Sequence, residues 1–216
     1  MPPTMPELDG VEHSFHDLPT GVRVHLAAAG PPDAPPVLAV HGWPQHWWSW
    51  RGVIGELAGE FRLLCPDLRG LGWSGLPDDG DFRKQRLADD QIALLDVLGI
   101  ERVRLVGHDW GGYAALLAAL TAPARFSSLA ALSIAHPWAP PQVGLRHGWM
   151  LWYQLPLAAP FAGRWFEMPA RLVIGSREPF RPFATGFHGE IEVIDDAGHF
   201  LPEEAPAAVA DQIRAM

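Results

Sequence analysis

Asp109 stands where a nucleophile could. It lies in Gly107-His108-Asp109-Trp110-Gly111-Gly112, behind the apolar run Val103-Arg104-Leu105-Val106 and ahead of an alanine-rich stretch from Tyr113 to Ala122. Buried strand, glycine-flanked turn and helix make the setting of a nucleophile elbow, with aspartate in the place of serine. Such a turn is strained, and neighbours without Cβ let strand and helix approach closely. It also sets the reactive group at a helix N-terminus, where backbone N–H groups favour negative charge. A carboxylate nucleophile narrows the chemistry. Attack on an electrophilic sp³ carbon gives an alkyl ester, which water activated by a histidine hydrolyses. Attack on an ester or amide carbonyl would give a mixed anhydride instead. Asp109 therefore points to the opening of an epoxide or alkyl halide and away from esterase work. The competing reading is an aspartate that merely caps the following helix. Ser74 and Ser133, the other hydroxyls weighed as nucleophiles, lack the elbow setting.

The candidate base is His199, in Asp195-Asp196-Ala197-Gly198-His199-Phe200, just after the apolar run Ile191-Glu192-Val193-Ile194. Loops at the carboxyl ends of parallel strands are where open α/β sheets place ligands and catalysis. A nucleophile followed much later in the chain by histidine also fits the order of elbow enzymes.

Four stretches together carry a resemblance: His41-Gly42-Trp43-Pro44 with Trp50-Arg51 behind it, Pro66-Asp67-Leu68-Arg69-Gly70-Leu71-Gly72-Trp73-Ser74, the elbow, and Gly198-His199-Phe200. In this order the chain resembles the epoxide hydrolase and haloalkane dehalogenase branch of the α/β-hydrolase superfamily. The resemblance implies an oxyanion hole from the backbone N–H groups of Trp43 and Trp110, with a Trp43-Pro44 bond of the kind that is cis. His41 is expected to bond loop backbone. The triad acid falls on Glu178, in Gly175-Ser176-Arg177-Glu178-Pro179, one methylene longer than the family's usual aspartate. Asp195 and Asp196 are the weaker candidates, and a surface role beside Arg177 is the alternative for Glu178 itself. The resemblance further implies two cap tyrosines that polarise an epoxide oxygen. The chain has only Tyr113, on the helix after the elbow, and Tyr153, in Trp149-Met150-Leu151-Trp152-Tyr153-Gln154; the first cap tyrosine aligns with Trp149 and the second has no counterpart. Dehalogenases of the branch grip a halide with a tryptophan beside the nucleophile, which Trp110 supplies, and with a second donor where Trp43 stands. Fluoroacetate-type members need an arginine where this chain has Trp110. The balance implies an epoxide hydrolase-like enzyme acting on a small apolar electrophile and water, with a haloalkane dehalogenase-like hydrolase or a non-catalytic binding protein as the alternatives.

These residues need a frame to hold them. The run Val37-Leu38-Ala39-Val40 reads as a strand buried on both faces, as do Phe61 to Cys65, Val103 to Val106, Leu129 to Ile134, Arg171 to Ile174 and Ile191 to Ile194. Helical stretches over 50–59, 86–98, 113–122 and 206–216 alternate with them, after an opening antiparallel pair, Val11 to Phe15 and Val22 to Ala28. The alternation predicts an α/β fold of the α/β-hydrolase type, a mostly parallel sheet with helices on both faces. Residues 135–168 hold prolines and Trp138, Trp149, Trp152 and Trp165 without a clear strand, and read as a short cap-like excursion, either a minimal cap or what a lost portion leaves. The ten tryptophans fit an apolar pocket, plain packing, or surface bared by a missing cap, and the last of these predicts self-association.

With 216 residues, 48% of them hydrophobic, the chain is expected to form a single domain over 1–216. The net charge of −9 argues against a nucleic-acid partner, and the densest basic run, Arg83-Lys84-Gln85-Arg86, reads as a solvated helix face. The lone Cys65 reads as a core residue and suits a reducing compartment. No signal peptide or membrane span is visible, so a cytoplasmic location is expected. No cofactor or metal is expected.

Overall fold

The computed structural model describes residues 4–77, 79–134, 170–178 and 190–216. The excursion over 135–168, with Tyr153 and its four tryptophans, lies outside the described residues. The elements are β1 (Val11–Leu18), β2 (Val22–Ala29), β3 (Pro36–Val40), α1 (Arg51–Leu57), β4 (Arg62–Pro66), α2 (Lys84–Val97), β5 (Val103–His108), α3 (Trp110–Thr121), β6 (Phe126–Leu132), β7 (Ala170–Gly175), β8 (Glu190–Ile194), α4 (Leu201–Glu204) and α5 (Pro206–Arg214). They form an eight-stranded sheet in the order β1-β2-β4-β3-β5-β6-β7-β8. β1, β2 and β4 pair antiparallel, and the strands from β4 through β3 to β8 run parallel.

The continuous apolar strands are explained by two cores, one on each face. Leu38 and Val40 join Leu105, Leu94, Leu95, Ala114 and Leu116 under α2 and α3. Val37 and Ala39, pointing the other way by the period of two, join Leu63, Val106, Val53, Leu57, Val209 and Ile213 under α1 and α5. Cys65 belongs to the second core, where burial pushes its thiol up. Trp47 and Trp50 are fully buried there as well, so for these two the reading is packing. Among the described residues no helix is long and apolar enough to cross a membrane.

Two boundaries differ from the expected ones in a way that matters for the site. Helix α3 begins at Trp110, directly on the elbow, where Gly111 and Gly112 hide the start from a propensity reading. Helix α2 begins at Lys84, and this corrects the solvated basic face: Arg83 and Gln85 are exposed, but Lys84 is buried.

Gly111 shows why the elbow tolerates no side chain. A Cβ there would stand 2.4 Å from both the Val40 and the His41 carbonyl oxygens, backbone atoms that cannot swing aside. Alanine would gain about 1 kcal/mol of helix propensity over glycine. The clash outweighs that gain, and Gly111→Ala is expected to destabilise the chain by about 1–3 kcal/mol net, read as a shifted urea midpoint.

Candidate active site

Asp109 leaves the carboxyl end of β5 with φ 48 and ψ −116, a left-handed conformation that costs a non-glycine residue about 1–3 kcal/mol. Its N–H donates to the Leu132 carbonyl at 3.1 Å, and its own carbonyl accepts from Tyr113 N–H at 3.1 Å, so β6 and α3 hold the strained turn. The side chain makes no N-cap bond into α3. Instead the Trp43 N–H donates to Asp109 Oδ1 at 2.9 Å, and the Trp110 N–H also faces the carboxylate.

Trp43 is aimed by the loop after β3. Its bond to Pro44 is cis. His41, fully buried, donates from Nδ1 to the Gly42 carbonyl at 2.8 Å and accepts at Nε2 from the Leu68 N–H at 2.9 Å, so it serves loop backbone. Asp67 accepts from the N–H groups of Trp47 and Trp73 at 2.7 and 2.9 Å and pairs with His25 Nδ1 at 2.8 Å, tying the neighbouring loops together. Ser74 donates to the Asp67 carbonyl, and Ser133 is buried just past β6; neither stands at the elbow.

His199 reaches in from the loop after β8. Its Nε2 lies 3.6 Å from Asp109 Oδ2, and its Nδ1 lies 2.9 Å from Glu178 Oε2. The Glu178 side chain is fully enclosed, so a surface role is ruled out; Asp195 and Asp196 are exposed. The loop carrying Glu178 follows β7, and its N–H bonds the Gly175 carbonyl at 3.1 Å. The sheet thus brings Asp109, Glu178 and His199 from three strand ends into one line.

The charges in this line support one another. Burial opposes ionisation of Asp109, but His199, His108 and the N–H groups of Trp43 and Trp110 outweigh it and hold the carboxyl below its usual range. Burial also disfavours a charged His199, yet bonds to Asp109 and Glu178 and their charges push it up to about 9. At neutral pH the resting pair is therefore carboxylate and imidazolium.

Residues that carry no motif of their own hold His199 in place. Glu204, on α4, accepts from the N–H groups of Gly198 and Phe200 at 2.8 and 2.9 Å, on either side of the histidine. His108, neutral because burial lowers it to about 4, donates from Nε2 to the His199 carbonyl at 2.7 Å. Its Nδ1 lies 3.0 Å from the Gln45 side-chain amide. The signal for His108 is its place beside the nucleophile on β5; for Glu204 nothing in the spacing marks it. Tyr113 packs in a small core with Ile134, Leu172 and Ile174 rather than at the site. Among the described residues no cluster of His, Cys, Asp and Glu gathers as a metal site would.

Comparison with known proteins agrees with this frame. A family model described as alpha/beta hydrolase fold matches residues 35–185. The chain is 35% identical over 159 residues to the AB hydrolase superfamily protein YfhM of Bacillus subtilis, covering 69% of this chain and 55% of that protein. It is 47% identical over 92 residues to a soluble epoxide hydrolase of a Corynebacterium species, covering 43% of this chain and 31% of the relative. The chain thus spans between about a third and about half the length of these curated relatives. An epoxide hydrolase of Vigna radiata has the same fold, with a TM-score of 0.81 at 18% identity, covering 98% of each chain.

Proposed function

The chain belongs to the alpha/beta hydrolase fold family, and on that premise we propose that it hydrolyses small apolar epoxides through an ester formed on Asp109. The observation that carries this reading is the line from Asp109 through His199 to the enclosed Glu178, with two backbone N–H groups on the nucleophile's carboxylate.

The chemistry follows from the charges. Ionised Asp109 attacks a ring carbon and the C–O bond opens. The new ester carries no charge, so the Asp109 charge that kept His199 protonated is gone. The imidazolium can then release its proton to solvent and become the base that activates water, while Glu178 stabilises the imidazolium that re-forms. Water adds to the ester carbonyl, and the Trp43 and Trp110 N–H groups, already within reach of the carboxylate, stabilise the oxyanion. Exposed Trp43 and Phe200 offer apolar walls beside the reacting atoms.

The family resemblance also covers haloalkanes, and Trp110 is the residue that would hold a halide. Styrene oxide and 1-bromohexane, incubated in parallel, separate the two. In a His199→Gln chain the first should leave a stable adduct on Asp109, found by peptide mass spectrometry; an adduct from the bromide alone would move the reading to dehalogenation, and none from either would remove it. Trp43, half-exposed, also supports the expectation of self-association; a molar mass that stays monomeric across concentrations in light scattering would refute that.

A further inference from the structure

Lys84 is the sole lysine of the chain, and it occupies a costly position. It is 6% exposed, and it opens α2, where the helix dipole is positive and disfavours a cation. An ammonium taken out of water needs a partner. Lys84 has no hydrogen bond or ion pair to any described residue. Its Nζ instead lies over the indole of Trp110, 2.7 Å from the ring centroid. Trp110 is the residue whose N–H faces the nucleophile's carboxylate, and its ring leans toward Trp43 across the same mouth. A buried amine thus lies against the aromatic face of the residue next to the nucleophile, within reach of the Asp109 charge.

We propose that Lys84 delivers the proton to the epoxide oxygen as the ring opens, which is the task that cap tyrosines would otherwise perform. This rests on the epoxide reading above. As Asp109 attacks one ring carbon, the C–O bond breaks and its electron pair goes to oxygen; that oxygen takes a proton from the Lys84 ammonium and leaves a hydroxyl and a neutral amine. When water later cleaves the ester, the imidazolium of His199 protonates the departing alcohol oxygen. The proton left on the regenerated Asp109 carboxyl returns to the Lys84 amine, and His199 takes back from solvent the proton it released after ester formation, so that epoxide plus water becomes diol with Asp109, Lys84 and His199 all restored. Tyr113 does not compete for the role, since it sits in the core.

The electrostatics fit a proton donor. Burial lowers Lys84 to about 7, and the charge of Asp109 is the one described influence that raises it. The neighbouring cations are engaged elsewhere, Arg83 just before α2 with Asp81 at 2.6 Å and Arg86 on α2 with Asp79 at 3.1 Å. His199 stands beyond Asp109. Once Asp109 becomes an ester its supporting charge vanishes, so Lys84 turns more acidic at the moment the alkoxide forms.

The test measures ester formation alone, in the His199→Gln background, by rapid mixing and mass spectrometry of Asp109. Two probes are used: 1,2-epoxyhexane, whose alkoxide is strongly basic, and 3,3,3-trichloro-1,2-epoxypropane, whose alkoxide needs less help. Adding Lys84→Met should slow the first about 10²–10⁴-fold, slow the second much less, and erase the fall in rate above neutral pH. Lys84→Arg, which keeps the charge and cannot give up its proton, should rescue little. Equal rates, or a uniform loss for both probes with the pH limb intact, would overturn the proposal and leave Asp109 chemistry standing; absence of any ester before Lys84 is changed would overturn both. A second measurement needs no variant. The ¹³Cε resonance of the sole lysine should titrate near neutral pH, and a midpoint at the value of an exposed lysine would refute the assignment.

Discussion

Asp109→Asn is expected to lower turnover of an epoxide by at least about 10⁴-fold, because a residue that forms the covalent bond cannot be bypassed by its neighbours. Asparagine keeps the shape and can still accept the Trp43 N–H bond now made at 2.9 Å. It loses the charge. The uncharged amide therefore stands in for the neutral ester, and its effect on His199 should be the effect of alkylation itself. His199 is raised to about 9 by Asp109 and Glu178 together, against the cost of burial. With the first charge gone, its midpoint should fall well below that value, which a ¹H–¹⁵N titration of the ring would show. A stability consequence has the same origin. A folded-state value above the unfolded 6.5 means the folded chain holds the proton more tightly. The resulting stabilisation is complete below pH 6.5 and is lost as pH rises toward about 9. In Asp109→Asn that sloping window should narrow. An unmoved His199 midpoint would sever the proposed link between ester formation and base activation, and near-normal turnover would remove Asp109 as the nucleophile.

Much of this frame is legible because burial writes itself into sequence. Strands covered on both faces read as unbroken apolar runs, so β3, β4, β5 and β7 fall within one or two residues of their expected bounds. β6 is the exception: it starts at Phe126, earlier than expected, because Ser127 and Ser128 look like a turn although Ser128 is fully buried. Asp109 and His199 are legible because turn chemistry and position at strand ends single them out. Glu178 is reached through the resemblance, and its alternatives fall only once burial is known. Lys84 misleads for a physical reason. A basic residue between Arg83 and Arg86 looks solvated, and nothing local reveals that Trp110, distant in sequence, lies across its path. Glu204 and His108 act through backbone groups of the His199 loop, contacts that depend on how chain segments far apart in sequence meet.

Glu178→Gln should separate the two chemical steps. Glu178 sits 2.9 Å from His199 Nδ1 with its side chain wholly enclosed, so its charge acts on the imidazole with little screening. Glutamine fills the same volume and can keep a bond to the ring, but it can no longer stabilise the imidazolium that water activation creates. It can also present an amide N–H to Nδ1 and trap the wrong tautomer. Attack by Asp109 needs neither effect, so the ester should still form. Its hydrolysis should slow about 10²–10⁴-fold, and the ester should accumulate as a burst of one equivalent with His199 still present. Glu178→Asp retains the charge but withdraws it by one methylene from a bond that is already at normal length. An intermediate loss is expected there, even though aspartate is the family's usual residue, because the Glu178 backbone is anchored by its N–H bond to the Gly175 carbonyl while its full-length side chain already reaches His199 at 2.9 Å. Pre-steady-state mass spectrometry of the Asp109 peptide reads all of these outcomes. Glu178→Gln without a burst, alongside Asp195→Asn or Asp196→Asn with one, would transfer the acid to the loop that the geometry now places outside the line.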